Sequence, residues 1–210
     1  MRIRQYTQLQ SVKMLKFIIK GITRVLSTIF FAKLLFGVDC SAGNAGYQIG
    51  FSTILMKKAL KKFVKPNDKV LDIGTGAFAI HSIWLKKNMN ADVTATEISD
   101  EYIESAKRVA KDNNAGIKVV KSDLFKGIKN KFDWAIFNPP FRGREDHNGY
   151  KIIKRLLEEA PKSTKLIIVS NAFYADLKRV EETIKGNGYS IIEAVTAFLN
   201  PSKAYVIEKG

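Results

Sequence analysis

From Val70 onward, short apolar runs alternate with segments whose apolar residues recur every third or fourth position. Val70–Ile73, Ala91–Thr96, Lys118–Val120, Asp133–Phe137, Lys165–Ser170, Tyr189–Ala197 and Ala204–Glu208 read as strands. Helical periodicity fills Ala79–Lys87, Asp100–Lys111, Tyr150–Ala160 and Tyr174–Lys185, the last closing at Gly186-Asn187-Gly188. Apolar strands separated by helices predict a parallel sheet covered on both faces. The final two runs, parted by Asn200-Pro201, predict an antiparallel closure. The expected fold is therefore α/β: a Rossmann-like, seven-stranded, mostly parallel sheet with a closing antiparallel strand.

The chain before Val70 is patterned differently. Lys13–Gly37 reads as a helix carrying Lys13, Lys16, Lys20 and Arg24 on one face and Leu15, Ile18, Ile19, Ile22, Val25, Leu26, Ile29 and Phe30 around the rest. Its longest uncharged run is Val25–Ala32, far short of the roughly 20 apolar residues that a membrane span needs. Ser41–Gly46 reads as a loop, and Ser52–Val64 as a second amphipathic helix stopped before Pro66. Two segments are expected: a basic helical N-terminal extension, 1–65, and an enzyme-like domain, 66–210.

Charge sharpens that division. Met1–Lys65 holds 12 Lys and Arg against one acid, Asp39, whereas the remaining 145 residues hold 23 against 19. A segment so basic points to a polyanion: nucleic acid first, peripheral contact with an anionic membrane surface second. One cysteine, Cys40, leaves no disulfide framework and no zinc cluster, so no metal is expected. The absence of a small-residue cleavage site behind the basic N-terminus favours a cytoplasmic protein.

The residues with chemical promise stand at successive strand ends, where open α/β sheets bind ligands. Asp72-Ile73-Gly74-Thr75-Gly76 is a glycine turn directly after the first strand. A dinucleotide fingerprint would place a third glycine where Phe78 stands, which disfavours a pyrophosphate. Glu97 follows the second strand, where a carboxylate can accept hydrogen bonds from ribose hydroxyls. Ser122-Asp123-Leu124 follows the third and can reach a base edge. Asn138-Pro139-Pro140-Phe141 follows the fourth. Two prolines force a rigid loop, giving the Asn138 amide oxygen and Pro139 carbonyl as paired acceptors beside the flat face of Phe141. That set suits a substrate NH₂ on a planar system.

In this order the residues resemble the class I methyltransferases of the amino-methylating group, over about Val70–Gly210. The group includes N6-adenine methyltransferases of RNA and DNA and glutamine-N5 methyltransferases of release factors. The resemblance implies S-adenosylmethionine as cofactor, held by Asp72, Gly74, Gly76, Glu97, Asp123, Leu124 and Asn138, with Asn138, Pro139 and Phe141 as the catalytic set. It implies methylation of the exocyclic N6 amine of adenine in RNA; a protein glutamine-N5 substrate is the first alternative. A small-molecule N-methyltransferase and a non-catalytic S-adenosylmethionine-binding module complete the choices. Arg142, Arg144 and His147 could guide phosphates. His81 is expected to pack, and Tyr47, Gln48 and Phe51 are weaker candidates for covering the methionine end of the cofactor.

Overall fold

The computed structural model describes residues 28–43, 49–141 and 147–210. The basic face Lys13–Arg24, Tyr47 and Gln48, and Arg142 and Arg144 lie outside them. Residues 28–36 are helical (α1). The elements that follow are α2 (Phe51–Phe63), β1 (Lys69–Ile73), α3 (Ile80–Met89), β2 (Asp92–Glu97), α4 (Asp100–Asp112), β3 (Lys118–Lys121) and β4 (Trp134–Phe137). After them come α5 (His147–Glu159), β5 (Lys165–Asn171), α6 (Leu177–Gly186), β6 (Tyr189–Val195) and β7 (Ser202–Lys209).

The seven strands form one sheet in the order β3-β2-β1-β4-β5-β7-β6. All pairs from β3 to β5 are parallel, and β7 runs antiparallel to both of its neighbours. The antiparallel strand thus closes the sheet by inserting between β5 and β6 rather than by adding to its edge.

The two-residue period of the strands sorts the core into two layers. Val70, Val93, Trp134, Ile136, Ile167 and Val169 face α2, α3 and α4, and Ala32, Phe36, Val38 and Cys40 join this same layer. Leu71, Ile73, Ala135, Phe137, Leu166 and Ile168 face α5 and α6. No helix joins β3 to β4; Leu124, Phe125 and Phe132 fill that part of the second layer instead. Burial pushes the Cys40 thiol up to about 12, which leaves it inert as a nucleophile.

Two helix starts differ from the sequence reading. Helix α5 begins at His147, three residues early. Helix α6 begins at Leu177, three residues late, because the Asp176 carboxylate caps it by accepting the backbone N–H groups of Lys178 and Arg179. Residues 172–174 become a turn that carries Tyr174 to the sheet's functional edge. Among the described residues, no helix is long and apolar enough to cross a membrane.

Candidate functional site

A cleft of about 610 Å³ opens over the C-terminal ends of β1 to β5. It straddles β1 and β4, where the strand order reverses. Its size falls in the usual range for small-molecule sites, about 300–1,000 Å³.

The glycine turn forms one wall. Gly74 and Gly76 both adopt left-handed backbone, at φ 62° and 69°, which a side chain would resist. The Thr75 N–H ties the turn to β2 by donating to the Thr96 carbonyl at 2.9 Å. Asp72 sits beneath this turn and does not border the cleft. Strand alternation explains why: Asp72 shares the face of Val70 and points toward α3. Its Oδ2 accepts the Thr75 hydroxyl at 2.7 Å and the Ser82 hydroxyl at 2.6 Å. Burial pushes this carboxyl above its usual range, opposed by His81 and by the two hydroxyl bonds. His81 is buried too, and burial pushes its imidazole down. Its Nε2 lies 3.1 Å from the Thr53 carbonyl and its ring meets Phe36 edge-on. Asp72 and His81 brace the turn from below.

Phe78 is core. Its ring lies so close to Gly43 that a Cβ there would come within 2.5 Å. The space beside the turn is filled, which accounts physically for the missing third glycine.

Glu97 borders the cleft and is already engaged. Oε2 accepts the Gly76 N–H at 3.0 Å, while Oε1 accepts those of Ile98 and Ser99 at 2.7 and 3.1 Å. A carboxylate offers about four acceptor positions, so one is left for a ligand hydroxyl. Ile98, 61% exposed, and Leu124 provide apolar surface nearby, the latter in left-handed backbone at φ 53°. Asp123 is paired with Arg155 at 2.9 Å, and Arg155 also reaches Glu159 at 3.2 Å. The Asp123 charge is therefore balanced inside the chain.

At the end of β4, Asn138 Nδ2 donates to the Ser52 hydroxyl at 3.4 Å, which leaves Oδ1 as an acceptor. The buried Pro139 carbonyl accepts the Phe141 N–H at 3.0 Å. This tight turn curls Phe141 back over the loop, and the carbonyl keeps a second lone pair. The Phe141 ring meets Tyr150 edge-on at 5.1 Å and presses on Gly149, where a Cβ would come within 2.4 Å. Phe51 begins α2 and is half exposed; its neighbour Ser52, not Phe51, lines the cleft. His147 lies away from the cleft, beside Arg179.

The sequence reading stopped at four strand ends. The fifth contributes Val169, Ser170, Asn171 and Tyr174. Ser170 Oγ is buried and has no hydrogen-bond partner among the described residues. A buried orphan hydroxyl bordering a cleft is a ready contact for a polar ligand group.

Residues 47–193 match the family model described as methyltransferase small domain. The ribosomal RNA small subunit methyltransferase C of Haemophilus influenzae is 39% identical over 121 residues, 55% of this chain and 36% of that one. The release factor glutamine methyltransferase of Streptococcus pneumoniae is 39% identical over 94 residues, 45% of this chain and 34% of that one. The matched segment spans about a third of the length of these curated relatives. A crystal structure of a methyltransferase from Pyrococcus furiosus superposes with a TM-score of 0.70 at 26% identity, covering 88% of this chain and 95% of that one.

Proposed function

The chain belongs to the methyltransferase small-domain family, and on that footing we propose that it methylates the exocyclic N6 amine of adenine in RNA, using S-adenosylmethionine. The observation that carries the reading is the loop Asn138–Phe141 lining the cleft, with Asn138 Nδ2 turned to Ser52 and Oδ1 left as an acceptor. The residues fit the cofactor. Its ribose and adenine suit an acid with one open acceptor position and an apolar surface, and its lack of phosphate suits the filled space at Phe78.

When bound, S-adenosylmethionine supplies an electrophilic methyl on its sulfonium. The residues that would hold it are Gly74, Gly76, Glu97, Ile98, Asp123 and Leu124. Asp72 supports it at one remove by fixing the turn. Asn138 Oδ1 and the free lone pair of the Pro139 carbonyl accept the two hydrogens of the target NH₂. That holds the nitrogen lone pair out of conjugation and aims it along one line. Phe141 stacks on an unpaired base and keeps water from its face. No strong general base is needed, because a methylated amino group loses its proton readily.

Support for an RNA substrate comes from the basic composition and from the printed name of the Haemophilus relative. The Streptococcus relative favours a second reading, a glutamine amide in a protein. The pure chain, given radiolabelled S-adenosylmethionine and total cell extract, separates the two. The expected product loses its label to RNase and digests to N6-methyladenosine; label lost only to protease moves the chain to the glutamine reading.

A further inference from the structure

We propose that the groove between the starts of α5 and α6 is a docking site for the phosphate backbone of single-stranded RNA, next to the methylation cleft. The proposal deepens the RNA reading and rests on it. The groove measures about 390 Å³ and is lined by His147, Tyr150, Lys151, Lys154, Arg179 and Thr183. The Arg179 guanidinium lies over the Tyr150 ring, 4.1 Å from its centroid, with Nη2 3.1 Å from His147 Nδ1. Arginine only donates, so His147 Nδ1 is the acceptor and Nε2 carries the proton as a further donor.

The charge balance is what marks the site. Lys154 is paired with Glu158 at 3.7 Å and Lys178 with Glu182 at 3.9 Å. The Asp176 carboxylate is taken by the N–H groups that it caps. Arg179 and Lys151, brought together in the groove, have no carboxylate partner among the described residues, whereas Lys154, Arg155 and Lys178 on the same two helices do. Contact with the Tyr150 ring and with His147 holds the Arg179 guanidinium in place, and a guanidinium's fork of donors matches a phosphate.

Position ties the groove to the cleft. Tyr150 meets both Phe141, with 5.1 Å between centroids, and the Arg179 guanidinium. Arg179 Cζ therefore lies within about 9 Å of the centre of the Phe141 ring, so one short stretch of strand can reach both. Phe173 and Tyr174, 63% and 52% exposed on the turn before α6, add stacking surface beside this path. A phosphate contact positions the strand, and the base contact in the cleft selects.

The test uses the full chain and a fluorescein-labelled, single-stranded RNA of mixed sequence containing adenine, followed by anisotropy across a salt series. Replacing both Arg179→Gln and Lys151→Gln removes two phosphate contacts. Binding should weaken about tenfold, and the slope of log affinity against log salt should shrink by about 1.4, near 0.7 per phosphate. Lys151→Glu, at an exposed position with no ion pair among the described residues, gives the same direction should Arg179→Gln disturb Tyr150 packing. S-adenosylmethionine affinity, read in parallel, reports that the cleft is intact. Unchanged RNA affinity and salt slope in both variants would overturn the proposal. Methylation of the same RNA by the wild-type chain is a separate arm. Loss of slope without any methylation keeps the groove and removes the N6-adenine reading; methylation with unchanged slope does the reverse.

Discussion

Replacing Glu97 by Gln separates two jobs that one carboxylate performs. The side chain keeps its size, but only one of its terminal atoms can now accept. The better orientation leaves the amide oxygen on the Ile98 and Ser99 N–H groups and turns the amide NH₂ toward the Gly76 N–H, donor against donor. A hydrogen bond to a charged group contributes about 1.5–3 kcal/mol, and the cleft lets water recover part of it, so the expected net loss is about 2 kcal/mol. For a chain of this size that lowers the melting temperature by about 4–8 °C. The variant also loses the open acceptor position for ribose, which should weaken S-adenosylmethionine by about thirtyfold, equivalent to about 2 kcal/mol. The assay is a thermal melt with and without cofactor at a hundred times the wild-type dissociation constant. Wild type should gain about 2.7 kcal/mol there and the variant about 0.9 kcal/mol. A variant that melts within a degree of wild type, with the same cofactor-dependent rise, would refute both roles. A lowered melt with an undiminished rise would leave Glu97 holding the turn and not the ribose.

Four further changes probe neighbouring points. Asn138→Ala should cut turnover at least about a hundredfold while cofactor affinity holds, as losing a pre-organised polar group does elsewhere; near-normal turnover would sink the proposed acceptor role. Gly149→Ala should strengthen α5 intrinsically by about 1 kcal/mol, yet slow turnover, because its Cβ would displace the Phe141 ring; unchanged kcat and KM would show that Phe141 has no fixed duty. Ser170→Ala removes a hydroxyl without a partner, so stability should stay level or rise by up to about 1 kcal/mol while substrate KM increases; loss of stability would mean that the hydroxyl is satisfied within the chain. His81→Gln tests the acid limb of stability. Burial holds the folded imidazole below its usual value, so the unfolded chain takes up a proton near pH 6.5 that the folded chain refuses. His81's contribution is thus complete above about pH 6.5 and declines on acidification, by at most about 1.4 kcal/mol per pH unit. Asp72, pushed up by burial, works in the opposite sense, losing stability as pH rises from the usual carboxylate range toward its raised value. In urea melts from pH 7 to 5, the gap between wild type and His81→Gln should narrow; parallel curves would exclude the imidazole.

The strands and most helices could be read from the sequence because each is a local pattern, an apolar run or a period of three to four. The late start of α6 has a local cause as well: Asp176 before Leu177 is an available capping signal. Four strand ends bear glycine, acid or proline and stand out, while the fifth, Val169-Ser170-Asn171, carries unremarkable residues, although the same strand-end rule points to it. Asp72 opens the glycine turn, a position that by itself points to the ligand. Counting by twos from Val70 would have sent it beneath the turn instead. Other features were out of reach. The Asp123–Arg155 pair spans 32 residues, and the contacts of Phe141 with Gly149 and of Phe78 with Gly43 depend on how loops fold back on helices. No periodicity encodes those.

Strand β7 has a consequence for how the molecule is assembled. It follows β6 in the chain but lies between β5 and β6, and it is the strand on which β6 pairs among the described residues. While β7 is missing, β6 lacks its strand partner, and β5 shows a bare edge along Leu166–Asn171, a mostly apolar segment with open backbone donors and acceptors. Such an edge can recruit a strand from another molecule. During synthesis the cleft-bearing half, β1 to β5, can pair before this gap is filled, and the chain is then most prone to stick to its own copies. Slow emergence of Ser202–Lys209, or substitutions that weaken its pairing, would appear as aggregates in newly made protein and not as a fault in the finished cleft.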